Sequence, residues 1–391
     1  MKIAFVVQRY GLEVNGGAEL LCRQVAEHLV QYTDVDVVTT CAIDYITWKD
    51  EYKPGVETLN GVTVRRFPVD FERNVKSFNT ISEFVFNHPH SSEDELQWMK
   101  EQGPYSTPLL DFLSENRNNY DVFIFFTYLY CTTFFGLPLV ADRAILVPTA
   151  HDEPPIYLTM FQSVFHLPRA ILFNTEEEEK FVNSMFQTQD IPYDIVGVGV
   201  DVPQIVDPSD FSRKYDLNTF IVYAGRIDES KGCRELFDYF LRYKLDTESP
   251  VKLVLMGKPV MNIPKHPDII PLGFVSDEEK FSGIMASDLL LMPSRFESLS
   301  MVLLEAWLCN RPVLVNGGCT VLKGQCRRSN GGLWYENYDE FKECLDQLIK
   351  NKELSDVMGR SGKKFVEENY CWEIIERKYW KNIERFIVSR K

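Results

Sequence analysis

The chain has 391 residues, of which 45% are hydrophobic and 25% are charged, a composition typical of soluble globular proteins. Its length exceeds the ~250–300 residues at which single hydrophobic cores stop growing, so we expect more than one domain. The net charge of −15 excludes a nonspecific nucleic-acid binder, because such binding depends on basic side chains that neutralise phosphates.

Short apolar runs alternate with amphipathic segments along the first half of the chain. The runs predict six strands, at residues 3–8, 35–40, 62–67, 122–127, 144–149 and 170–174. Helices are predicted after the Gly16-Gly17 pair and at residues 176–186. The polar, aromatic-rich residues 71–117 indicate irregular or helical excursions. Short strands separated by helices are typical of parallel, doubly wound sheets.

The same alternation restarts after a loop at residues 199–208, which contains Pro203 and Pro208. Strands are predicted at 219–224, 251–256, 269–272, 289–292 and 312–316, and helices at 234–245, 278–286, 302–308, 339–351, 353–368 and 372–388. Residues 1–205 hold 14 basic and 29 acidic side chains, whereas the remainder is balanced. We therefore expect two α/β domains with different ligands and a cleft between them. Ligands of such sheets bind at the carboxyl ends of the strands.

The cysteines and the apolar segments bear on the cellular compartment. Nine cysteines without a C-x-x-C pair indicate free thiols in a reducing compartment. The N-terminal apolar run is too short for a signal peptide. Residues 122–141 are uncharged and long enough for a membrane span, but Gly136, Pro138 and three threonines favour a buried strand followed by a short helix or loop. We expect a cytoplasmic protein.

One strand end in the second half carries two cations. Arg226 and Lys231 lie five residues apart, just after the strand at 219–224. The forked arginine and the point charge of lysine can together hold a diphosphate. Two solvated surface charges are the alternative interpretation.

Two glutamates, Glu297 and Glu305, stand with seven residues between them near the predicted helix at 302–308. Ser298 or Ser300 is expected to cap that helix. Glu297 then lies in the preceding loop, and Glu305 lies inside the helix. The two carboxylates bracket a ligand whose phosphates lie on the backbone N–H groups of residues 299–303. Glu305 suits a ribose, because a carboxylate can accept hydrogen bonds from two adjacent hydroxyls.

These motifs resemble those of family-4 glycosyltransferases, which are retaining, nucleotide-sugar-dependent enzymes of the GT-B fold. The matches are Gly16-Gly17-Ala18-Glu19, His151-Asp152, Gly225-Arg226 with Lys231-Gly232, Glu297-x(7)-Glu305 and Cys371-Trp372-Glu373. The resemblance covers nearly the whole chain, and the E-x(7)-E segment is its most specific part. It implies two Rossmann-like domains whose parallel sheets face a central cleft. Residues 1–202 would bind the acceptor, residues 203–371 would bind the donor, and a C-terminal helix, 372–391, would cross back to complete the first domain.

The resemblance also implies roles for individual residues. Arg226 and Lys231 would hold the donor diphosphate, and Glu297 would lie beside the donor sugar. With His151, these three are the predicted catalytic residues. The predicted donor-binding residues are Gly16, Gly17, Gly225, Gly257, Phe274, Val275, Ser298, Leu299, Ser300, Met301, Val302 and Glu305. Among these, Glu305 would hold the ribose, and Gly257, Phe274 and Val275 would lie near the base.

The candidate site residues in the first half of the chain also have structural interpretations. His151 follows the strand at 144–149 and is expected to contact the donor sugar, although a lone histidine is more often structural. The Gly16-Gly17 pair permits close backbone approach to a sugar or phosphate, and a simple turn is the alternative. Glu19 is expected to be a helix-start acid. The run of four glutamates at 176–179 is expected to form a solvated helix face.

The chain departs from the family pattern in its sugar pocket. Ser298-Leu299-Ser300 stands where many relatives have Gly-Phe-Gly. No Asp-x-Asp metal motif is expected, because Asp34-Val35-Asp36 opens a strand and is interpreted as structural. Cys319 and Cys326 are too isolated for a zinc site. We predict no cofactor beyond the nucleotide sugar and no metal, since cations and a helix N-terminus can neutralise the leaving diphosphate.

The leading hypothesis is a hexosyltransferase that retains anomeric configuration and moves a sugar from a UDP- or GDP-sugar to a glycan or lipid-linked saccharide, in surface polysaccharide biosynthesis. A sugar-nucleotide epimerase and a non-catalytic nucleotide-sugar-binding protein are the alternatives. A dinucleotide-dependent oxidoreductase is disfavoured, because Gly197-Val198-Gly199 lacks a third glycine and a following helix. Acceptor contacts are expected in residues 71–105, where ordinary packing is the alternative, and peripheral membrane contact stays open.

Overall fold

The computed structural model describes residues 1–14 and 16–388. The chain divides into two compact units, Met1–Val198 with Ile375–Lys391, and Gly199–Ile374. The predicted divisions after residues 202 and 371 lie within four residues of these. Residues 389–391 of the predicted C-terminal helix lie outside the described residues. Which ligand each unit binds stays a prediction.

The first unit is built on an eight-stranded sheet over its described residues, in the order β3-β4-β2-β1-β5-β6-β7-β8. The strands are β1 (Lys2–Val6), β2 (Asp34–Thr40), β3 (Gly55–Leu59), β4 (Val62–Phe67), β5 (Val122–Phe126), β6 (Ala144–Val147), β7 (Ala170–Phe173) and β8 (Tyr193–Ile195). All neighbours pair in parallel except β3 and β4, which are antiparallel at one edge. All six predicted strands are present. Strands β1, β5 and β6 are completely or almost completely buried, as their continuous apolar character predicts.

The edge strand β3 was absent from the prediction, because its residues are exposed and show no apolar run. A local signal for it does exist in the sequence. Asn60-Gly61 joins β3 to β4, and both residues have positive φ, 48° and 84°. This dipeptide is favoured in two-residue hairpin turns, which require that conformation.

Helices cover the first sheet and continue through the segment at 71–117. They are α1 (Gly17–Leu29), α2 (Val75–Asn87), α3 (Ser92–Gln102), α4 (Thr107–Glu115), α5 (Cys131–Gly136), α6 (Phe161–His166) and α7 (Glu176–Phe186). Three of them lie in the segment predicted to be irregular or helical. Each of these begins at a capping side chain, that of Asn74, Ser91 or Ser106, which accepts a hydrogen bond from a backbone N–H of the first helical turn.

The second unit contains a six-stranded parallel sheet over its described residues, in the order β11-β10-β9-β12-β13-β14. Its strands are β9 (Phe220–Ala224), β10 (Lys252–Met256), β11 (Ile269–Gly273), β12 (Leu289–Met292), β13 (Val313–Asn316) and β14 (Gly332–Tyr335). Its helices are α8 (Pro208–Lys214), α9 (Cys233–Asp246), α10 (Asp277–Ala286), α11 (Met301–Leu308), α12 (Thr320–Ser329), α13 (Tyr338–Lys350) and α14 (Lys352–Asn369), and α15 (Trp372–Val388) follows. The α/β class with parallel sheets is confirmed, whereas α6 and β8 of the first unit and α8, α12 and β14 of the second unit were not predicted.

The apolar stretch at 122–141 forms β5, α5 and a short 3₁₀ turn, as expected. Over residues 1–14 and 16–388, no helix has both the length and the apolar character that crossing a membrane requires.

Helix α15 packs its apolar face into the first unit. Ile375, Tyr379, Ile383 and Phe386 are all buried, at the spacing of one helix face. Glu376 is also buried and accepts three hydrogen bonds from α1 and the residues just after it. The donors are Nδ1 of His28 at 2.7 Å, Nε2 of Gln31 at 3.1 Å and the hydroxyl of Tyr32 at 2.6 Å.

We expect Glu376→Ala to lower the free energy of unfolding of the first unit by about 2–3 kcal/mol, because three donors lose a buried carboxylate. Urea denaturation followed by far-UV circular dichroism measures this. Lys381→Ala, at an exposed position of the same helix, is the matched control. Equal stability of the two variants would show that the carboxylate does not hold α15 in place.

Candidate functional site

The strand ends of the second unit bring two predicted donor-binding glycines into contact. The backbone N–H of Gly225 donates to Met256 O at 2.9 Å, and Gly257 donates to Gly273 O at 2.7 Å. A Cβ atom at Gly257, where φ is +151°, would lie 1.8 Å from the carbonyl oxygen of Gly225. Glycine is therefore required at position 257 by this close approach. Phe274, which follows Gly273, is 73% exposed, and Val275 is half-buried.

The loop after β9 is folded around Asp228. Its carboxylate accepts hydrogen bonds from Arg226 Nε, from the Ser230 hydroxyl at 2.7 Å and from the backbone N–H of Lys231 at 2.9 Å. Burial alone would raise the pKa of Asp228, but the hydrogen bonds from Ser230 and Arg226 outweigh it and lower the pKa. Asp228 thus stays ionised and fixes the Arg226 side chain. Asp228 is not among the site residues predicted from the sequence.

A second contact joins this loop to the loop after β12. Gly232 has a φ of +74°, and a Cβ atom there would lie 2.3 Å from the carbonyl oxygen of Pro293. The two loops consequently pack backbone against backbone. Lys231 Nζ donates to Glu297 Oε1 at 2.7 Å. Two predicted catalytic residues, 66 positions apart in the chain, therefore form an ion pair.

Helix α11 begins at Ser300, one of the two predicted caps. Its side chain makes no capping hydrogen bond, and its Oγ is buried without a hydrogen-bond partner among the described residues. Met301 and Val302 form the first turn of the helix, where backbone N–H groups have no partner within the helix. This helix start, with Ser298 and Leu299 before it, is an electropositive terminus beside Glu297.

Glu305 is held by a lysine that the sequence did not reveal. Lys280, in α10, donates to Glu305 Oε1 at 2.8 Å and lies 3.0 Å from Asp277 Oδ1. Burial would lower the pKa of Lys280, but the attraction of Glu305 and Asp277 outweighs it and raises the pKa. Because Lys280 and Glu305 are 25 residues apart on different helices, no local pattern connects them.

The second unit therefore presents three cation–carboxylate pairs around the start of α11. They are Arg226 with Asp228, Lys231 with Glu297, and Lys280 with Glu305. Such a set can bind an anion through its cations while its carboxylates accept hydrogen bonds from hydroxyls.

The first unit has a buried ion pair after β1. Nε of Arg9 donates to Glu19 Oε1 at 2.8 Å, and both side chains are only 6% exposed. Glu19 lies in the first turn of α1, as predicted, but it is also half of a buried pair whose partner the sequence analysis missed. A Cβ atom at Gly16 would lie 2.1 Å from Glu19 Oε2, whereas a Cβ atom at Gly17 would meet no atom within 4 Å.

His151 lies beyond the end of β6, beside the acidic residue Glu153. Its Nε2 is 3.3 Å from Glu153 Oε2, and Glu153 Oε1 accepts a 2.7 Å hydrogen bond from the Tyr128 hydroxyl. Burial raises the pKa of Tyr128 well above its ordinary value, so this hydroxyl stays a donor. Whether His151 contacts a donor sugar stays a prediction.

Two threonines near His151 have unusual backbone conformations. Thr127 follows β5 and Thr149 follows β6, and their φ angles are +62° and +49°. Branched side chains rarely occupy this region, so both strand ends are strained. The strand predicted at 144–149 accordingly ends at Val147, before Pro148 and Thr149. Backbone strain of this kind clusters at functional sites.

The prediction that residues 176–179 form a solvated face is wrong for Glu178. This side chain is 1% exposed, and its oxygens accept backbone N–H bonds from Ala150 and Asn174, each at 2.6 Å. Burial raises its pKa to about 8. The burial of Glu178 could not be predicted from periodicity, because residues 176–179 at the start of α7 are all glutamate.

Other expectations concern structural residues and metals. Asp36 is buried and binds Arg65 Nε and the Tyr120 hydroxyl, each at 2.6 Å, which confirms its structural interpretation. Cys319 and Cys326 are free and buried. Over the parts of the chain that the structure describes, no three His, Cys, Asp or Glu side chains cluster in a way that could hold a metal ion.

Comparisons with known proteins agree with this geometry. Residues 209–365 match the family described as Glycosyl transferases group 1. The matched residues lie within the second unit, which is therefore similar to this family over most of its length. This region contains the three cation–carboxylate pairs and the start of α11.

Relatives and solved structures extend the likeness to the whole chain. An uncharacterized glycosyltransferase of Methanocaldococcus jannaschii is 24% identical over 96% of both chains. The capsular polysaccharide biosynthesis glycosyltransferase CapM of Staphylococcus aureus is 28% identical over 43% of this chain and 45% of its own. Sucrose-phosphate synthase from Thermosynechococcus elongatus superposes with a TM-score of 0.75, at 14% identity over 99% of both chains. Anabaena HepE in complex with UDP and glucose gives 0.69, at 15% identity over 98% of this chain and 100% of that chain. The GT-B fold is thereby shown.

The two glycines at the start of α1 should respond differently to alanine. We expect Gly16→Ala to lower the free energy of unfolding by about 1–3 kcal/mol, because the added methyl group displaces a buried charge pair. Gly17→Ala should instead be neutral or stabilising by up to about 1 kcal/mol, because alanine favours the helix and meets open space. Urea titration of both variants measures the difference. Destabilisation by Gly17→Ala would show that position 17 is constrained by the fold itself.

Proposed function

We propose that the protein is a retaining glycosyltransferase that moves a hexose from a UDP- or GDP-sugar to a glycan or lipid-linked saccharide. The observation that carries this proposal is the set of three cation–carboxylate pairs around the α11 terminus, within the residues that match the glycosyl transferases group 1 family. That HepE was solved with UDP and glucose supports a nucleotide sugar as the donor.

The donor diphosphate would bind between the cations and the helix start. Arg226 can offer its guanidinium fork to one phosphate and Lys231 its ammonium to the other. The N–H groups of Met301 and Val302 would complete the anion site. The buried Ser300 hydroxyl adds a donor that has no partner among the described residues. Glu305, steadied by Lys280, would then accept from the ribose.

The sugar would be transferred without an enzymic nucleophile. The acceptor hydroxyl attacks the anomeric carbon on the face from which the diphosphate leaves, so the configuration is retained. The bond from this carbon to the diphosphate oxygen breaks as the bond to the acceptor oxygen forms. The acceptor proton passes to the departing oxygen. Arg226 and Lys231 stabilise the leaving charge, which makes positioning and electrostatics the source of catalysis and requires no metal.

The acceptor would bind the first unit, near Gly17 at the start of α1 and His151 beyond the end of β6. Residues 71–105 supply aromatic side chains for this, and α2 has a single buried residue, Val85, so most of its surface is available. The likeness to CapM supports a role in surface polysaccharide synthesis. We place the protein in the cytoplasm, with peripheral contact at the inner face of the membrane, and the free cysteines are consistent with a reducing compartment.

A sugar-nucleotide epimerase is the second candidate function. The pairing of His151 with Glu153 favours it, because epimerisation needs an acid and a base beside the sugar. Incubation with a nucleotide sugar in the absence of acceptor separates the two functions: an epimer appears only if the second candidate is correct.

Nucleotide binding is tested by a thermal-shift panel of UDP, GDP, ADP and NAD. We expect one nucleoside diphosphate to stabilise the wild type and Glu305→Ala to weaken that binding about 10- to 100-fold, because a charged hydrogen bond to the ribose is lost. Glu353→Ala, at an exposed position of the same unit, is the control. If Glu305→Ala bound the nucleotide as tightly as the wild type, Glu305 would not be the ribose ligand. If no nucleotide shifted the melting temperature of the wild type, the non-catalytic alternative would be favoured.

Arg226→Ala should lower kcat by about 100-fold, beyond any rise in KM, because the leaving diphosphate loses a stabilising charge. Steady-state kinetics with a sugar donor built on the nucleotide that stabilises the wild type measures both constants. Arg234→Ala is the matched control, since Arg234 is exposed and pairs with Glu229 one turn away. A change in KM alone would mean that Arg226 binds substrate and transition state equally.

A further inference from the structure

The first unit contains a buried carboxylate that the proposed reaction does not use. Glu178 accepts from the backbone N–H of Ala150 and of Asn174, one through each oxygen. Ala150 follows β6 and Asn174 follows β7, and these strands are parallel neighbours in the sheet. One side chain therefore ties together the carboxyl ends of two adjacent strands.

The tie acts where the backbone is strained. Thr149 adopts a φ of +49°, and its successor Ala150 donates to Glu178. A branched residue keeps such a conformation only when its surroundings hold it there. The hydrogen bond to Ala150 lies one residue before His151, so it fixes the backbone from which the imidazole projects.

Glu178 also interacts with His151 through its charge. The attraction between them lowers the pKa of Glu178, although burial, the larger effect, raises it to about 8. Tyr379 of α15 senses the same carboxylate, because the charge of Glu178 adds to burial in raising the pKa of Tyr379. On its exposed side, His151 has Glu153 at 3.3 Å. The imidazole thus interacts with two carboxylates, one of them fully buried.

We propose that Glu178 is a positioning residue for His151 in the sugar-transfer reaction. It orders the strained end of β6 and sets the orientation and charge environment of the imidazole, without touching substrate itself. This inference rests on the proposed function for the reaction that His151 serves.

At pH 9, where Glu178 is ionised, Glu178→Gln keeps the shape of the side chain but has one acceptor oxygen instead of two, so one strand-end N–H loses its partner. We expect kcat to fall about 100-fold, as a displaced catalytic group requires. The KM for the nucleotide sugar should not change, because the residues proposed to bind the nucleotide lie in the second unit. Glu176→Gln, which loses only a surface pair with Lys180, is the control and should leave both constants unchanged.

A double-mutant cycle with His151→Ala tests whether Glu178 acts through the imidazole. We expect Glu178→Gln to have little further effect on kcat once His151 is alanine. If Glu178 had only a general structural role, the fold-decreases in kcat caused by Glu178→Gln and by His151→Ala would multiply in the double variant. Multiplying effects, or a folded Glu178→Gln protein with normal kcat, would overturn the proposal.

Nuclear magnetic resonance of the wild-type imidazole provides a test that needs no variant of Glu178. The His151 resonances should show a separate titration step near pH 8, when Glu178 ionises. Absence of that step would overturn the proposal even if Glu178→Gln did not fold. If the wild type binds no nucleotide and transfers no sugar, the proposed function fails, whereas this measurement still decides whether Glu178 and His151 are coupled.

Discussion

The ion pair between Lys231 and Glu297 joins the two loops from which the candidate site of the second unit is built. It forms only because Gly232 lacks a side chain and lets its loop lie against the carbonyl of Pro293. The loop after β9, which carries Lys231, also places Asp228 against Arg226. The loop after β12, which carries Glu297, continues into the start of α11. Loss of the contact between Gly232 and the carbonyl of Pro293 would move Lys231 away from Glu297 and from the start of α11. The chemistry of this site therefore depends on one glycine and one charge pair.

In the first unit, buried carboxylates hold the loops in place. Glu19 binds Arg9, Glu178 binds two strand-end N–H groups, and Glu95 accepts from the N–H groups of Thr159 and Met160 at 2.9 and 2.8 Å. Each fixes a loop beyond the edge where the parallel strands end. The acidic character of this half of the chain is therefore partly internal. A count of charges reveals the excess, but not that some of these carboxylates replace backbone acceptors that irregular loops lack.

Local patterns predicted most of the architecture, because apolar runs and helix periodicity are properties of neighbouring residues. Strand β5 and helix α15 are found where these patterns place them. The edge strand β3 was missed because an exposed strand needs no apolar run, although Asn60-Gly61 marked its turn. Lys280 and Glu178 were missed for a different reason. Their roles come from contacts with Glu305 and with the strand ends, which the fold creates and which no spacing in the sequence records.

The pairing of each cation with a carboxylate bears on what the second unit would select. The three cations are partly buried, with side chains 20–36% exposed, so pairing with Asp228, Glu297 and Glu305 reduces the cost of burying their charge. A bare diphosphate would satisfy Arg226 and Lys231 but would set its own negative charge beside Glu297. A nucleotide sugar instead offers hydroxyl donors at that position, and its ribose offers them to Glu305. Glu297 would thus favour a complete donor over the nucleoside diphosphate product, whereas Glu305 would meet the same ribose in both, and the weaker fit of the product beside Glu297 would assist its release after transfer.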